Sequence, residues 1–188
     1  MNRRSFCRHA LLGSAGLVVA AGDRAFSVSN GGSNIIAQGD PHARLKTLLN
    51  GRQWKDANDE TIRIMLEAIG KKRSTSLDQQ NLQNFPCDTL KIIDDLWTRY
   101  SNWRFGFSRQ KQIYLDVGGK LDGKYPGDRI WDDFGRKVGW WDGSWLSYNQ
   151  LTFDLSAPAG HLPRIRPTQN AQFRYRGALY TLLARECL

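Results

Sequence analysis

Between Trp54 and Ala68 the chain carries Trp54, Ala57, Thr61, Ile64, Met65 and Ala68 at steps of three and four residues, and Gly70 ends the run. That spacing lays one apolar stripe along an α-helix and does not suit a strand, whose faces alternate every second residue. The pattern recurs after Pro86, where Leu90, Ile93, Trp97 and Tyr100 share a face and Asp88 is the expected cap. Pro41 and Gly51 bracket Leu45, Leu48 and Leu49, so two helices joined by a short turn should form a hairpin. Further helices are expected from about Gly106 to Val117, around Trp131, Phe134 and Val138, and from about Tyr175 to Cys187. No alternating run is long enough to argue for a sheet, so the fold class is all-α: one compact helical domain with long loops.

The breaks between stripes set the loops. Residues 71–84 are polar and without period, which reads as a long loop of the kind that tends to be functional in a compact domain. Asp116 to Asp128 holds acids and glycines at spacings that do not match a calcium loop, so a surface loop is expected there. Past Gly139, Gly, Pro and Ser residues break the periodicity.

The amino terminus reads as a leader. Asn2-Arg3-Arg4-Ser5-Phe6 has the paired arginines and Phe of a twin-arginine signal, with Cys7 and Arg8 where that pattern favours Leu and Lys. An apolar stretch from Ala10 to Ala21 follows, too short to span a bilayer and closed by the small residues Val19-Ala20-Ala21. The expected organisation is a signal peptide over 1–21, a flexible Gly- and Ser-rich linker over 22–40 and the helical domain over 41–188. Export to a periplasm or thylakoid lumen follows from that reading, and the alternative is a basic tail on a cytoplasmic or membrane-peripheral protein. Cys87 and Cys187 stand a hundred residues apart in sequence, which carries no distance information. Two unpaired thiols are the default, and an oxidising compartment would permit a bond.

Twenty-seven basic residues against eighteen acidic ones give a formal charge of +9, with Arg3, Arg4 and Arg8 supplying three of those charges. The longest basic run, Lys71-Lys72-Arg73, fits a solvated helix end better than a binding patch. Signatures of catalysis are missing: the chain has no phosphate-binding loop, no dinucleotide fingerprint and no nucleophile elbow. Of the three histidines, His9 lies in the leader, His42 at a helix start and His161 between turns, and a lone histidine makes no zinc site. Asp94 and Asp95 are adjacent on a helix and point apart, as do Asp132 and Asp133, so both pairs read as solvated helix faces. The chain is read as a non-enzyme.

What remains is a dense set of rings. Trp103, Phe105, Phe107, Trp140, Trp141, Trp145, Tyr148 and Phe153 fall within one region, interleaved with Arg104, Arg109, Lys111, Arg136, Lys137 and Arg164. Rigid flat side chains among cations suit a flat apolar ligand with anionic edges. The same composition also fits a Trp-rich core, or a single-stranded nucleic-acid binder that stacks bases.

The wording of four segments goes further. RQWKDANDETIRIMLEA at 52–68, FPCDTLKIIDDLWTRYS at 85–101, RFGFSRQKQIYL at 104–115 and TFDLSAPAGHLP at 152–163 together resemble the genomes-uncoupled (fourth member) tetrapyrrole-binding family, accessory regulators of magnesium chelatase in chlorophyll synthesis. The resemblance covers roughly residues 42–188. It implies a cupped-hand helical domain whose palm holds protoporphyrin IX, magnesium protoporphyrin IX or, alternatively, a bilin, with no catalysis. Matched to the family motifs, the palm would draw on Phe105, Phe107, Gln110, Lys111, Trp145, Tyr148, Phe153, His161 and Leu162. His161 is either a structural hydrogen-bonding residue or a polar group facing the ligand. Arg164 and Arg176 are the candidates for pairing with propionates. RIRPTQNAQFRYRG interrupts the family pattern after the GHLP motif, so Arg166 and Arg174 stand beside them as alternatives. The implied partners are the tetrapyrrole and, if the chain is not exported, the porphyrin-binding subunit of magnesium chelatase. Neither nucleic acid nor a bound metal is expected, and the chain should be a monomer.

Overall fold

The computed structural model describes residues 39–72, 77–165 and 178–188. The expected leader and most of the expected linker lie outside them. Two helices open the described part, α1 (Ala43–Asn50) and α2 (Trp54–Ala68), and pack as the hairpin their stripes imply. Leu45, Leu48 and Leu49 of α1 face the stripe of α2, and α4 (Cys87–Tyr100) packs against both helices. Trp97 of α4 donates its indole N–H to Thr61 Oγ1 at 2.9 Å, which satisfies two polar groups inside the core. Around that bond Trp54, Trp97 and Phe105 meet with ring centroids 5.4, 6.0 and 6.2 Å apart.

Three local expectations change. The polar stretch read as one long loop contains a short helix, α3 (Gln79–Gln83), opened by a capping box in which Asp78 accepts from the Asn81 backbone N–H at 2.8 Å. Only Leu82 of that helix is buried, so no apolar period announces it. Helix α4 has Pro86 at its cap position, and Asp88 sits inside the first turn, where its charge faces the positive end of the helix dipole without capping it. Asp94 is buried instead of solvated. Its Oδ1 accepts the backbone N–H of Ser108 at 2.9 Å, so an acid from α4 caps the start of α5 (Phe107–Asp116). Gly106 makes that approach possible: at φ 127° it has no Cβ, and one placed there would lie 2.7 Å from Thr98 Cγ2 and 2.9 Å from Asp94 Oδ1.

Helix α6 (Asp128–Lys137) follows the loop expected at Asp116 to Asp128 and packs on α5. The last helix, α7 (Leu179–Leu183), is shorter than expected, and the expected start at Tyr175 lies outside the described residues. It packs against α3 and α5 and buries Leu179, Tyr180, Leu182 and Leu183. That docking brings the Cα atoms of Cys187 and Cys87 to 5.8 Å, within bridging range, and the two form a disulfide, which replaces the default of unpaired thiols. Closing a loop of about a hundred residues removes denatured-state entropy worth about 4–5 kcal/mol in the chain-entropy account. A second aromatic cluster joins α5, α6 and α7: Trp131 stacks on Phe134 at 5.2 Å and meets Tyr114, Trp145 and Tyr180 at 5.9–6.3 Å. Among the described residues there is no strand, only an isolated bridge between Trp141 and Trp145, and no helix is long and apolar enough to cross a membrane.

Candidate ligand-binding site

The GHLP segment runs through the middle of the domain and is tied on every side. Gly160 N–H donates to Arg104 O at 2.8 Å and Leu162 O accepts from Gly106 N–H at 2.9 Å, which pins the segment to the entry of α5. Gln110 of α5 donates Nε2 to Gly160 O at 3.0 Å and Pro163 O at 2.8 Å, and Trp140 donates Nε1 to His161 O at 2.8 Å. Both ring nitrogens of His161 are engaged. Thr152 N–H donates to Nε2 at 3.1 Å, so Nδ1 carries the proton and donates to Val138 O at 2.7 Å. Burial, and after it the positive charge of Arg164, holds this imidazole below its ordinary pKa. Both nitrogens are thus held by backbone groups, the arrangement of a structural hydrogen-bonding residue.

The residues matched to the palm divide by burial. Phe105, Phe107, Gln110 and Leu162 have no exposed surface in this structure. Lys111 turns toward the carboxyl terminus, donating Nζ to Arg185 O at 2.8 Å, with its pKa lowered by burial. Arg176 lies outside the described residues. Trp103 stands 57% exposed on the turn between α4 and α5 and belongs to neither cluster.

Trp145, Tyr148 and Phe153 remain half-buried, with part of each ring open. Trp145 rests on α6 where Gly135 leaves room for it; a Cβ there would lie 2.7 Å from the indole Cη2. Tyr148 opens a single 3-10 turn (Tyr148–Gln150) and meets Phe153 at 5.3 Å between centroids. Its hydroxyl donates to Asp59 Oδ1 at 2.7 Å and accepts from Asn58 Nδ2 at 3.4 Å, while Lys55 Nζ sits 6.0 Å from the Phe153 centroid. The first half of α2 thus backs this pair of rings.

Asn58 also clamps Arg164. Its Oδ1 accepts Arg164 N–H at 2.6 Å and its Nδ2 donates to Arg164 O at 3.3 Å. The Arg164 side chain is buried over the Trp140 ring, 5.1 Å from its centroid, and Nη1 has no hydrogen-bond partner. None of the ion pairs among the described residues includes it. Burial pushes its pKa down to about 10, which still leaves a full positive charge at neutral pH. A buried guanidinium with no carboxylate partner among the described residues keeps unused capacity for an anionic group.

Lys55, Asn58 and Asp59 were missed from sequence. The signal existed for Asn58: it lies four residues beyond Trp54 on the buried stripe of α2, where an amide needs specific partners. No group of three or more His, Cys, Asp or Glu side chains among the described residues could hold a metal ion.

A family model described as GUN4-like matches residues 37–176. The chain belongs to the GUN4-like family. Similar proteins include a Ycf53-like protein of Synechocystis, 30% identical over 152 residues that span 77% of this chain and 61% of that protein. The chloroplastic tetrapyrrole-binding protein of Arabidopsis thaliana is 28% identical over 142 residues, 68% of this chain and 49% of that protein. The chain thus spans about half to three-fifths of the length of these curated relatives. The ligand-free structure of Arabidopsis thaliana GUN4 matches with a TM-score of 0.61 at 22% identity, covering 80% of this chain and 95% of that one. GUN4 from Chlamydomonas reinhardtii gives 0.59 at 20% identity, covering 80% and 91%. These two likenesses establish the GUN4 fold, and with it the all-α expectation; the family does not favour the nucleic-acid alternative.

Proposed function

We propose that this GUN4-like chain binds a tetrapyrrole without turning it over, and acts as a carrier, sensor or regulator in tetrapyrrole and chlorophyll metabolism. The observation that carries the reading is the buried, unpaired Nη1 of Arg164, a residue whose backbone is held by the same Asn58 that bonds the hydroxyl of the half-buried Tyr148. A propionate supplies the missing acceptor and charge, and the macrocycle supplies a flat apolar face for the rings. Burying several hundred Å² of such a face yields on the order of 10 kcal/mol gross, reduced by immobilisation to micromolar or tighter affinity. Protoporphyrin IX, magnesium protoporphyrin IX and a bilin all fit this chemistry.

The Cys87–Cys187 disulfide supports the exported reading, since such bonds persist in oxidising compartments. An exported chain would carry or sense its ligand, whereas a chain retained beside magnesium chelatase would meet the porphyrin-binding subunit. Titration of the full chain with protoporphyrin IX, magnesium protoporphyrin IX and biliverdin, followed by Trp quenching and Soret shift, tests the proposal. Binding tighter than about 100 μM by at least one ligand is expected. Failure of all three would end the tetrapyrrole reading.

A further inference from the structure

The disulfide has a side to it that structural bonds do not need. Both sulfur-bearing residues line a groove of about 660 Å³, walled also by Gln83, Lys91, Leu121 and Glu186, so a reagent can reach the bond. The two sulfurs have unequal surroundings. Arg185 Nη2 lies 3.1 Å from Cys87 Sγ, and the same guanidinium is braced by the carbonyls of Phe85, at 2.9 Å, and Gln83. None of the ion pairs among the described residues includes Arg185, and its Nε is buried without a partner, so its charge is not neutralised by a carboxylate. Cys87 is also the first residue of the fourteen-residue helix α4, where the dipole favours an anion. Asp88 opposes this from the same turn, but it is exposed and solvated. Cys187 has Glu186 as its neighbour, and among the described residues no cation hydrogen-bonds its sulfur as Arg185 does that of Cys87, which favours the thiolate on Cys87.

We propose that Cys87–Cys187 is a thiol–disulfide exchange site for a dithiol reductant, attacked at Cys187 with Cys87 as the leaving group. The attacking thiolate forms a bond to Cys187 Sγ as the Sγ–Sγ bond breaks, and the electron pair leaves on Cys87 Sγ, stabilised by Arg185. The second thiol of the reductant, deprotonated, attacks its own sulfur in the mixed disulfide and expels the Cys187 thiolate, which takes a proton from water. The protein gains two electrons and the dithiol becomes a disulfide. Leaving-group pKa governs the first step, which is why the charge beside Cys87 decides the direction of attack.

The test uses the oxidised full chain with Cys7→Ser, which removes the third thiol. It is treated with less than one equivalent of reduced glutathione, quenched in acid, alkylated and peptide-mapped by mass spectrometry. Glutathione is expected on Cys187, with Cys87 as the alkylated free thiol. An even split, or glutathione mainly on Cys87, would overturn the proposal. Arg185→Gln should slow the cleavage roughly fivefold. If Arg185 only braces the carboxyl terminus, the same substitution would expose the bond and speed cleavage; that result, or an unchanged rate, counts against the proposal.

Discussion

Two groups of aromatic residues, drawn partly from the same stretch of sequence, have opposite fates. Trp54, Trp97 and Phe105 are shut inside the packing of α2 and α4, with the indole N–H of Trp97 satisfied by Thr61. Trp145, Tyr148 and Phe153 are only half-buried; Asn58 and Asp59 bond the Tyr148 hydroxyl, and Asn58 also holds the backbone of Arg164, whose Nη1 is unpaired. Ring content alone does not make a site. The closed group is complete without a ligand, whereas Tyr148 of the open group is tied through Asn58 to Arg164, whose Nη1 lacks a partner.

Breaking the closed group should have the largest effect. Trp97→Ala removes a fully buried indole and the bond it donates to Thr61, so urea unfolding should report a loss of about 3–5 kcal/mol. Removing the disulfide with Cys187→Ser should cost about 2–5 kcal/mol by the same measurement.

His161, on the boundary between the groups, should be next. His161→Ala leaves Val138 O and Thr152 N–H without their partner and should cost about 2–3 kcal/mol. Its pH signature has a definite sign. Because burial holds its folded pKa below the unfolded value, the unfolded chain takes up the proton first as pH falls. Its contribution is full above about pH 6.5 and declines below it. Asp94 works in the opposite sense in the carboxylate range, since burial raises its pKa. Urea unfolding at pH 8 and pH 5.5 should show the decline, and His161→Gln should flatten it. The open group should show the smallest change in stability: Tyr148→Phe removes only half-exposed bonds to Asp59 and Asn58, worth about 1 kcal/mol, yet should weaken ligand measurably in a fluorescence titration.

The helices were legible because α2 and α4 carry their apolar stripes in the sequence itself. Helix α3 was not, since its stability comes from a local cap and a single buried leucine. Asp94 looked solvated because nothing in its own helix reveals that the next helix begins against it. Of the residues matched to the palm, motif resemblance found both kinds without telling them apart. Phe107 is fully buried and Tyr148 half-open, a difference only the tertiary fold sets. Arg164 was a candidate for pairing with a propionate, but its distinctive property, a buried Nη1 without a hydrogen-bond partner, exists only in three dimensions.

The most direct measurement compares protoporphyrin IX with its dimethyl ester, on the unaltered chain and on Arg164→Gln. If Arg164 receives a carboxylate, the substitution should weaken the acid roughly tenfold and leave the ester nearly unchanged. It should lower the unfolding stability little, because the buried charge it removes has no carboxylate partner among the described residues and what is given up is the contact with the Trp140 ring. Equal losses for acid and ester, or an acid bound as tightly as before, would contradict the account.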